Sequence, residues 1–543
     1  MKKWLSCVLA LCCAFSAAVL SGCGKKVPDT EETLEVYVLD AGYGVNWCDD
    51  LLELFKQQEW VKEKYPNLQV VFTYNNVRSY GSSRLDAGSR SNTIDLLFDI
   101  DLNKYNYAGP TGDFEDLTDS VYNSTVPGEG DVKWIDKSTD SYDKSNLYAD
   151  VTGTLEGDHY YMTSWVDGMV GFLYNETLLN NLNIEVPRTT NELLEACEKI
   201  KSTVNNPLNT TENGYCFIQG KENTYWDYLH DIWWAQYEGI ENYRNFWNGY
   251  DAATHTRSTK IFDQRGKLET LKVYESLLDY NKGYYNPSSS TYNFIQAQTL
   301  FLQGKAAFCV NGDWFDNEMR PYAEQIKKEN GRIDTIKMMR TPIVSALGEK
   351  LGITDDELSA IVDYVDGTTA QEPEFTSTKS IAKNKVINAV REARTVIYSL
   401  GPNHNAAIPK YANGKKVAID FLRFMATDVA NEQYIKTTNG VTLPFDYDVK
   451  TKNPTLYESL SPLQKSRLDY FASDKYETYT LPSTLSFPLA KYGGLKANVN
   501  EYYLSVFAAK GNTTTAQNII DATKEAWTDS KWRTACNNAG LNV

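Results

Sequence analysis

Between Leu34 and Asp99 the chain alternates two hydrophobic periods, and that alternation narrows its fold more than any other feature. Leu34-Glu35-Val36-Tyr37-Val38-Leu39 has the two-residue period of a half-buried strand. From Trp47 to Lys64, Leu51, Leu54, Phe55 and Val61 fall at helical spacing; Pro66 ends that segment, and Leu68 to Tyr74 returns to the strand pattern. A third strand is predicted over Ile94-Asp95-Leu96-Leu97-Phe98-Asp99. Strand, helix and strand at this spacing form a βαβ unit, so the expected class is α/β with an open parallel sheet. Such sheets bind ligands beyond the carboxyl ends of their strands, which makes the loops at 40–47 and 99–105 the candidate binding edge.

Downstream, residues 175–290 read as helical and aromatic. A further strand is expected over Ala306 to Asn311, and a long helix from about Gly414 to Lys436 with Val417, Phe421, Phe424 and Met425 on one face. A last helix, about Thr514 to Trp532, follows Gly-Asn-Thr-Thr-Thr, a lead-in suited to capping it. The stretch 345–395 has no clear pattern, and no internal repeat is visible.

The N-terminus supplies a compartment. Lys2 and Lys3 precede an apolar run from Trp4 to Leu20, too short for a bilayer span and suited to a signal peptide. It ends in Leu20-Ser21-Gly22-Cys23, which resembles the bacterial lipobox, so Cys23 is the expected lipidation site. Residues 1–22 are then the signal peptide and 23–33 the lipidated cysteine with a polar tether. The body is expected on the outer face of the cytoplasmic membrane, attached by its lipid.

Acidic residues number 71 against 54 basic ones, a net charge of −17, which disfavours nucleic acid as a partner because phosphate contacts need clustered Lys and Arg. Four His in the whole chain leave little for metal or triad chemistry, and neither a cofactor nor a metal is expected. Beyond the signal and anchor, Cys48, Cys197, Cys216, Cys309 and Cys536 are scattered without CxxC or metal spacing. They read mostly as small buried hydrophobes, with one unassignable disulfide left open. Asp99-Ile100-Asp101-Leu102-Asn103 begins like an EF-hand loop, but Lys104 and Pro110 stand where Gly and Glu are required, so calcium is not expected there.

Four segments together carry a resemblance. Asp95-Leu96-Leu97-Phe98, then Tyr160 to Trp165 through Phe172-Leu173-Tyr174-Asn175 and on to Val186-Pro187-Arg188-Thr189-Thr190-Asn191-Glu192-Leu193 form the first two. Phe301-Leu302-Gln303-Gly304-Lys305-Ala306-Ala307-Phe308 with Asn311-Gly312-Asp313-Trp314 is the third. Ala407-Ile408-Pro409-Lys410, Lys415 to Leu422 and Asn439-Gly440-Val441-Thr442-Leu443-Pro444 make the fourth. In this order they resemble the family 1 extracellular solute-binding proteins of ABC importers, the group that includes maltodextrin-binding protein. Two departures are plain: the usual Pro before Asp95 is missing, and Thr190 replaces the usual Trp.

The resemblance implies a two-lobed periplasmic-binding-protein-like fold (type II, cluster D-like) with discontinuous lobes and a ligand cleft between them. The expected partition is 34–160 plus 290–345 for lobe 1 and 161–289 plus 346–543 for lobe 2. It also implies a monomeric, noncatalytic binder that closes on a ligand and delivers it to permease subunits in the membrane.

Twelve Trp and 37 Tyr suit an oligosaccharide ligand, since sugars offer apolar C–H faces to rings and hydroxyl edges to carboxylates and amides. Ten aromatic side chains fall between Tyr225 and Tyr250. Helical spacing would bury most of them and leave one or two of the four Trp in the cleft, Trp226 first, with Glu222 and Tyr225 of the polar run before it as further expected contacts. The remaining expected contacts are Asn46 and Trp47 in the first strand-end loop, Asp99 and Asp101 after the third strand, Trp165 and Asp167 at the lobe crossing, and Asp313 and Trp314 at a strand end. A peptide or other polar solute is the alternative cargo. An extracellular glycosidase is the remaining one, although no nucleophile elbow, HExxH or phosphate loop marks a catalytic centre.

Overall fold

The computed structural model describes residues 28–542, apart from 89–92, 101, 103–108, 140–145, 149–154, 204–214, 223, 472–477, 483, 485–486 and 496–505. The signal segment, Cys23 and Asp101 therefore lie outside the described residues.

Two sheets organise the chain. The first contains β1 (Thr33–Leu39), β2 (Gln69–Asn75), β3 (Leu96–Ile100), β4 (Thr163–Ser164) and, from far downstream, β10 (His404–Ala407), in the order β2-β1-β3-β10-β4. β1 runs parallel to both β2 and β3, as the βαβ reading requires, and β10 is antiparallel to β3 and β4. The second contains β5 (Met169–Asn175), β6 (Tyr215–Phe217), β7 (Ala306–Gly312), β8 (Ile336–Met339), β9 (Val396–Ser399) and β11 (Tyr479–Thr480), in the order β11-β9-β5-β7-β6 with β8 paired to β5.

Helices cover both sheets: α1 (Asn46–Gln57), α2 (Thr190–Ser202), α3 (Thr224–Glu238), α4 (Gly266–Leu278), α5 (Phe315–Asn330), α6 (Lys415–Met425), α7 (Asp428–Thr438) and α8 (Pro462–Phe471). α1 exists because Trp47, Cys48, Leu51, Leu52 and Phe55 make one buried face, and it packs on α7. One carboxylate fastens the first lobe: Asp95 accepts from the backbone N–H of Glu35 at 2.9 Å and of Gly414 at 2.8 Å, joining the starts of β3, β1 and α6. Burial pushes its pKa up to about 6 against the two hydrogen bonds that lower it.

Sheet membership differs from the sequence-based partition. β7 and β8 fall within 290–345, the segment assigned to lobe 1, yet both pair antiparallel with β5 in the second sheet, with Val170 opposite Gly312 and Phe172 opposite Met339. β10, α6 and α7 fall within 346–543 but return to the first sheet. Strand periodicity identifies a strand without naming its partners, so the pairing was not readable along the chain. The backbone crosses between lobes at 165–168, at 400–403 and again between α7 and α8. α8 packs on β8, where the Met338 N–H donates to Ser466 Oγ at 2.9 Å.

Several predicted helices are split. The segment 47–64 breaks at Gln58, whose backbone is extended, and the long helix over 414–436 becomes α6 and α7, with the Thr427 side chain capping the second. The last helix divides into Ala516–Ala526 and Asp529–Asn538, and Thr515 forms a capping box with Asn518 at the predicted lead-in. The patternless stretch holds helices over Ala346–Leu351, Asp355–Asp366 and Lys383–Thr395. All five described cysteines are buried and free.

Candidate functional site

The loop after β1 inserts Tyr43 between the lobes. Its ring meets Trp165 edge-to-face at 5.9 Å, Trp314 at 6.0 Å and His404 at 5.6 Å, so three segments enclose it. Its hydroxyl donates to Asp313 Oδ1 at 3.1 Å, from the first lobe to the second. The close approach requires glycine: a methyl group on Gly168 would overlap the Tyr43 hydroxyl, and one on Gly42 would press on the Trp314 ring. Asn317 Nδ2 adds a second cross-lobe bond, donating to the Gly42 carbonyl at 2.7 Å.

Asp313 is the electrostatic centre. It is fully buried, accepts the Met169 N–H at 3.2 Å, and faces Arg467 Nε at 3.2 Å. Burial pushes its pKa up to about 6, while the Arg467 guanidinium, the Met169 N–H and the Tyr43 hydroxyl pull the other way. Arg467, from α8, also donates to the Asp167 carbonyl, and its Nη2 lies 3.9 Å from Asp167 Oδ2. His404 is held neutral: burial lowers its pKa to about 4, opposed by its contact with the Leu400 carbonyl.

The junction gathers six of the residues expected from sequence: Trp47, Trp165, Asp167, Tyr225, Asp313 and Trp314. Trp47 and Trp165 spend one face on each other, stacked at 4.8 Å and 14°, and Trp47 Nε1 donates to the Gly44 carbonyl. Tyr225 lies 6.4 Å from Trp314, ring to ring. Glu222 is half-buried beyond β6; its Oε2, like Trp165 Nε1 and Asn311 Nδ2, is a buried polar atom with no hydrogen bond among the described residues.

Others stand elsewhere. Asn46 is exposed at the start of α1, and Asp99 is buried beside Tyr37 and Gly81, accepting the Ile100 N–H at 2.7 Å. Trp226 is a correction: it is fully buried in the second lobe, stacked on Phe217 and edge-on to Tyr274 and Tyr285. Trp233 and Trp234 are buried too, because α3 is covered on nearly every side, and Trp247, on the following helix Ile240–Asn248, is buried against Trp234 and Phe246. No group of three metal-ligating side chains occurs among the described residues.

A profile of the bacterial extracellular solute-binding proteins matches residues 49–343, more than half of the chain. The chain belongs to that family. Solved structures share the solute-binding fold across nearly the whole molecule. A substrate-binding protein from Listeria monocytogenes in complex with cycloalternan has 12% identity and a TM-score of 0.56 over 94% of this chain and 99% of that one. RafE in complex with raffinose has 12% identity and a TM-score of 0.53 over 91% and 98%. A chitin oligosaccharide binding protein has 15% identity and a TM-score of 0.54 over 91% and 98%. No curated protein sequence matches the chain.

In this solute-binding protein, sequence reasoning missed Tyr43, His404 and Arg467. Tyr43 had a signal, since it sits in the loop already singled out. His404 and Arg467 had none, because each reaches the junction from a distant strand or helix. Also unmarked were Tyr74, Val77 and Tyr80, which are 58%, 53% and 36% exposed at the carboxyl end of β2, the free rim of the first sheet.

Proposed function

We propose that this protein is the lipid-anchored substrate-binding subunit of an ABC importer and that its cargo is an oligosaccharide. The observation that carries the reading is the junction itself, where aromatic rings and buried carboxylates from both lobes converge. Trp314 and Tyr225 offer apolar faces on one side, Tyr74 and Tyr80 on the rim of the other, and Trp165 Nε1, Glu222 Oε2 and Asn311 Nδ2 offer hydrogen-bonding atoms without a partner among the described residues. A sugar needs this pairing of ring and polar edge. The raffinose, cycloalternan and chitin-oligosaccharide binding proteins of the same fold support the class of cargo.

Function here is binding and closure. Tyr43 and Asn317 already join the lobes, so a ligand bridging the same surfaces adds to an existing contact and stabilises the closed form. Hydrolysis of ATP belongs to other chains, and the bound glycan leaves unchanged. The N-terminal sequence supports attachment through Cys23, and diacylglycerol with a further acyl chain supplies the two-chain anchoring that stable attachment requires.

The test is calorimetry on residues 24–543 with α- and β-linked glucans, xylo-, manno-, arabino- and fructo-oligosaccharides and short peptides. The expected result is one-to-one binding of one glycan class, with the sugar recovered intact and Trp314→Ala weakening it. Response to peptides alone overturns the carbohydrate reading, and new products in the sugar samples overturn the noncatalytic one. Release of a Cys23→Ala protein into the medium checks the anchor.

A further inference from the structure

A cavity of about 490 Å³ lies at the junction beside the Tyr43 cage, and of the expected contacts only Asp167 reaches its wall. Its first wall belongs to the first lobe: Asp136, Ser138 and Thr139 run beside the loop after α7, where Thr139 N–H donates to the Pro444 carbonyl at 3.2 Å and Asp446 N–H to the Lys137 carbonyl at 2.8 Å. Its second wall is α8, through Arg467, Leu468 and Asp469. This volume is in the range that holds a small organic ligand.

The chemistry of the walls is one-sided. Among the described residues, five aspartates face one lysine and one arginine. Both cations are committed: Arg467 to Asp313, and Lys450 to Asp469 at 2.8 Å. Asp469 also accepts from Tyr457, and Asp448 accepts the Lys450 N–H. The side chains of Asp136 and Asp446 make no hydrogen bond or ion pair among the described residues, and both are exposed towards solvent. Phe445, Tyr447 and Tyr457 supply rings, and the protein places its own ammonium groups on two of them. Lys452 Nζ is 5.2 Å from the Tyr447 centroid and Lys450 Nζ 5.1 Å from that of Tyr457. Ammonium over a tyrosine with an aspartate alongside is thus an arrangement that this part of the molecule already makes.

We propose that the cavity is a second ligand site, separate from the cleft, for a small organic cation: an ammonium group on an apolar body, with Asp136 and Asp446 as charge partners and Phe445 and Tyr447 as the apolar wall. A cation there sits on the first-lobe wall and faces α8 of the second lobe across the cavity. Arg467, on the facing wall, pairs with Asp313, the carboxylate that accepts from Tyr43, so the cavity and the cleft share one wall residue. The site does not depend on the cargo being a glycan.

The test is calorimetry on residues 24–543 at low ionic strength, with choline and spermidine as probes and 3,3-dimethylbutan-1-ol as the neutral isostere of choline. At least one cation is expected to bind one-to-one and the alcohol not to bind. A D136N/D446N double variant, matching the wild type in circular dichroism and melting temperature, is expected to bind about tenfold more weakly or worse. No heat from either cation, equal binding of the alcohol, or undiminished binding by the double variant each overturns the proposal.

Discussion

Arg467 is buried between two aspartates delivered by different segments, Asp167 from the first lobe crossing and Asp313 from the end of β7. A buried pair of this kind is costly to break, because removing one partner leaves an uncompensated charge. Arg467→Leu is expected to lower unfolding stability by about 3–5 kcal/mol in urea titrations. Glu318, on α5, makes a complementary prediction. Burial pushes its pKa up to about 7, with one opposing hydrogen bond from Gln298 at 2.8 Å. The folded protein therefore holds this proton more tightly than the unfolded chain. The resulting stability is complete below about pH 4.5 and is lost as pH rises through 7, a difference of about 3 kcal/mol between pH 4 and pH 7. Glu318→Gln keeps the neutral shape, so its stability at pH 4 should match the wild type and exceed it by that amount near pH 7. At this scale the sequence was uneven. The strand-end position of Asp313 and Trp314 was legible because the strand run and the Asn-Gly-Asp-Trp that closes it are contiguous in the chain. Arg467 was not, because nothing local distinguishes an arginine that will be buried from one that will be solvated.

The elements were easier to read than their partners. β1, α1, β2, β3 and β7 follow from periodicity alone, which is fixed by neighbours a few residues away. Assigning β7 to a sheet needed the antiparallel register with β5, a contact across more than a hundred residues that no local period records. Trp226 failed for the same reason. A helix with aromatic side chains around most of its circumference does not announce which face is covered, and α3 is covered on nearly all of them. One carboxylate shows how elements are tied across such distances. Asp95 takes two backbone N–H groups, from β1 and from the start of α6, and Gly414 stands so close to the Thr33 carbonyl and to Asp95 that a methyl group would overlap both. Asp95→Ala strands both donors in a buried site, at a cost of about 1–3 kcal/mol for each. Chemical denaturation should show an unfolding free energy lower by the sum of the two, read as a lower midpoint at an unchanged m-value, since the surface exposed on unfolding stays the same.

The lobes meet through a few contacts, and the whole molecule's state depends on them. Tyr43 is the largest, held by three rings, one carboxylate and two glycines. Asn317 holds the same loop by its carbonyl, and Arg467 braces the carboxylate from behind. Removing Tyr43 from its cage without touching any ring tests whether these contacts set the closure. Gly168→Ala does this, since the added methyl overlaps the Tyr43 hydroxyl while each lobe keeps its own core. The energetic cost falls on the interface between lobes and leaves the two sheets intact, so the melting temperature should drop by only a few degrees, in keeping with a loss of about 1–2 kcal/mol. Small-angle scattering should report a larger radius of gyration for the ligand-free variant than for the wild type. Tyr43→Phe, which removes one hydrogen bond and keeps the ring, should fall between them. An unchanged radius in Gly168→Ala would mean that the crossing segments alone fix the lobe angle, and that the Tyr43 cage fills space without setting it.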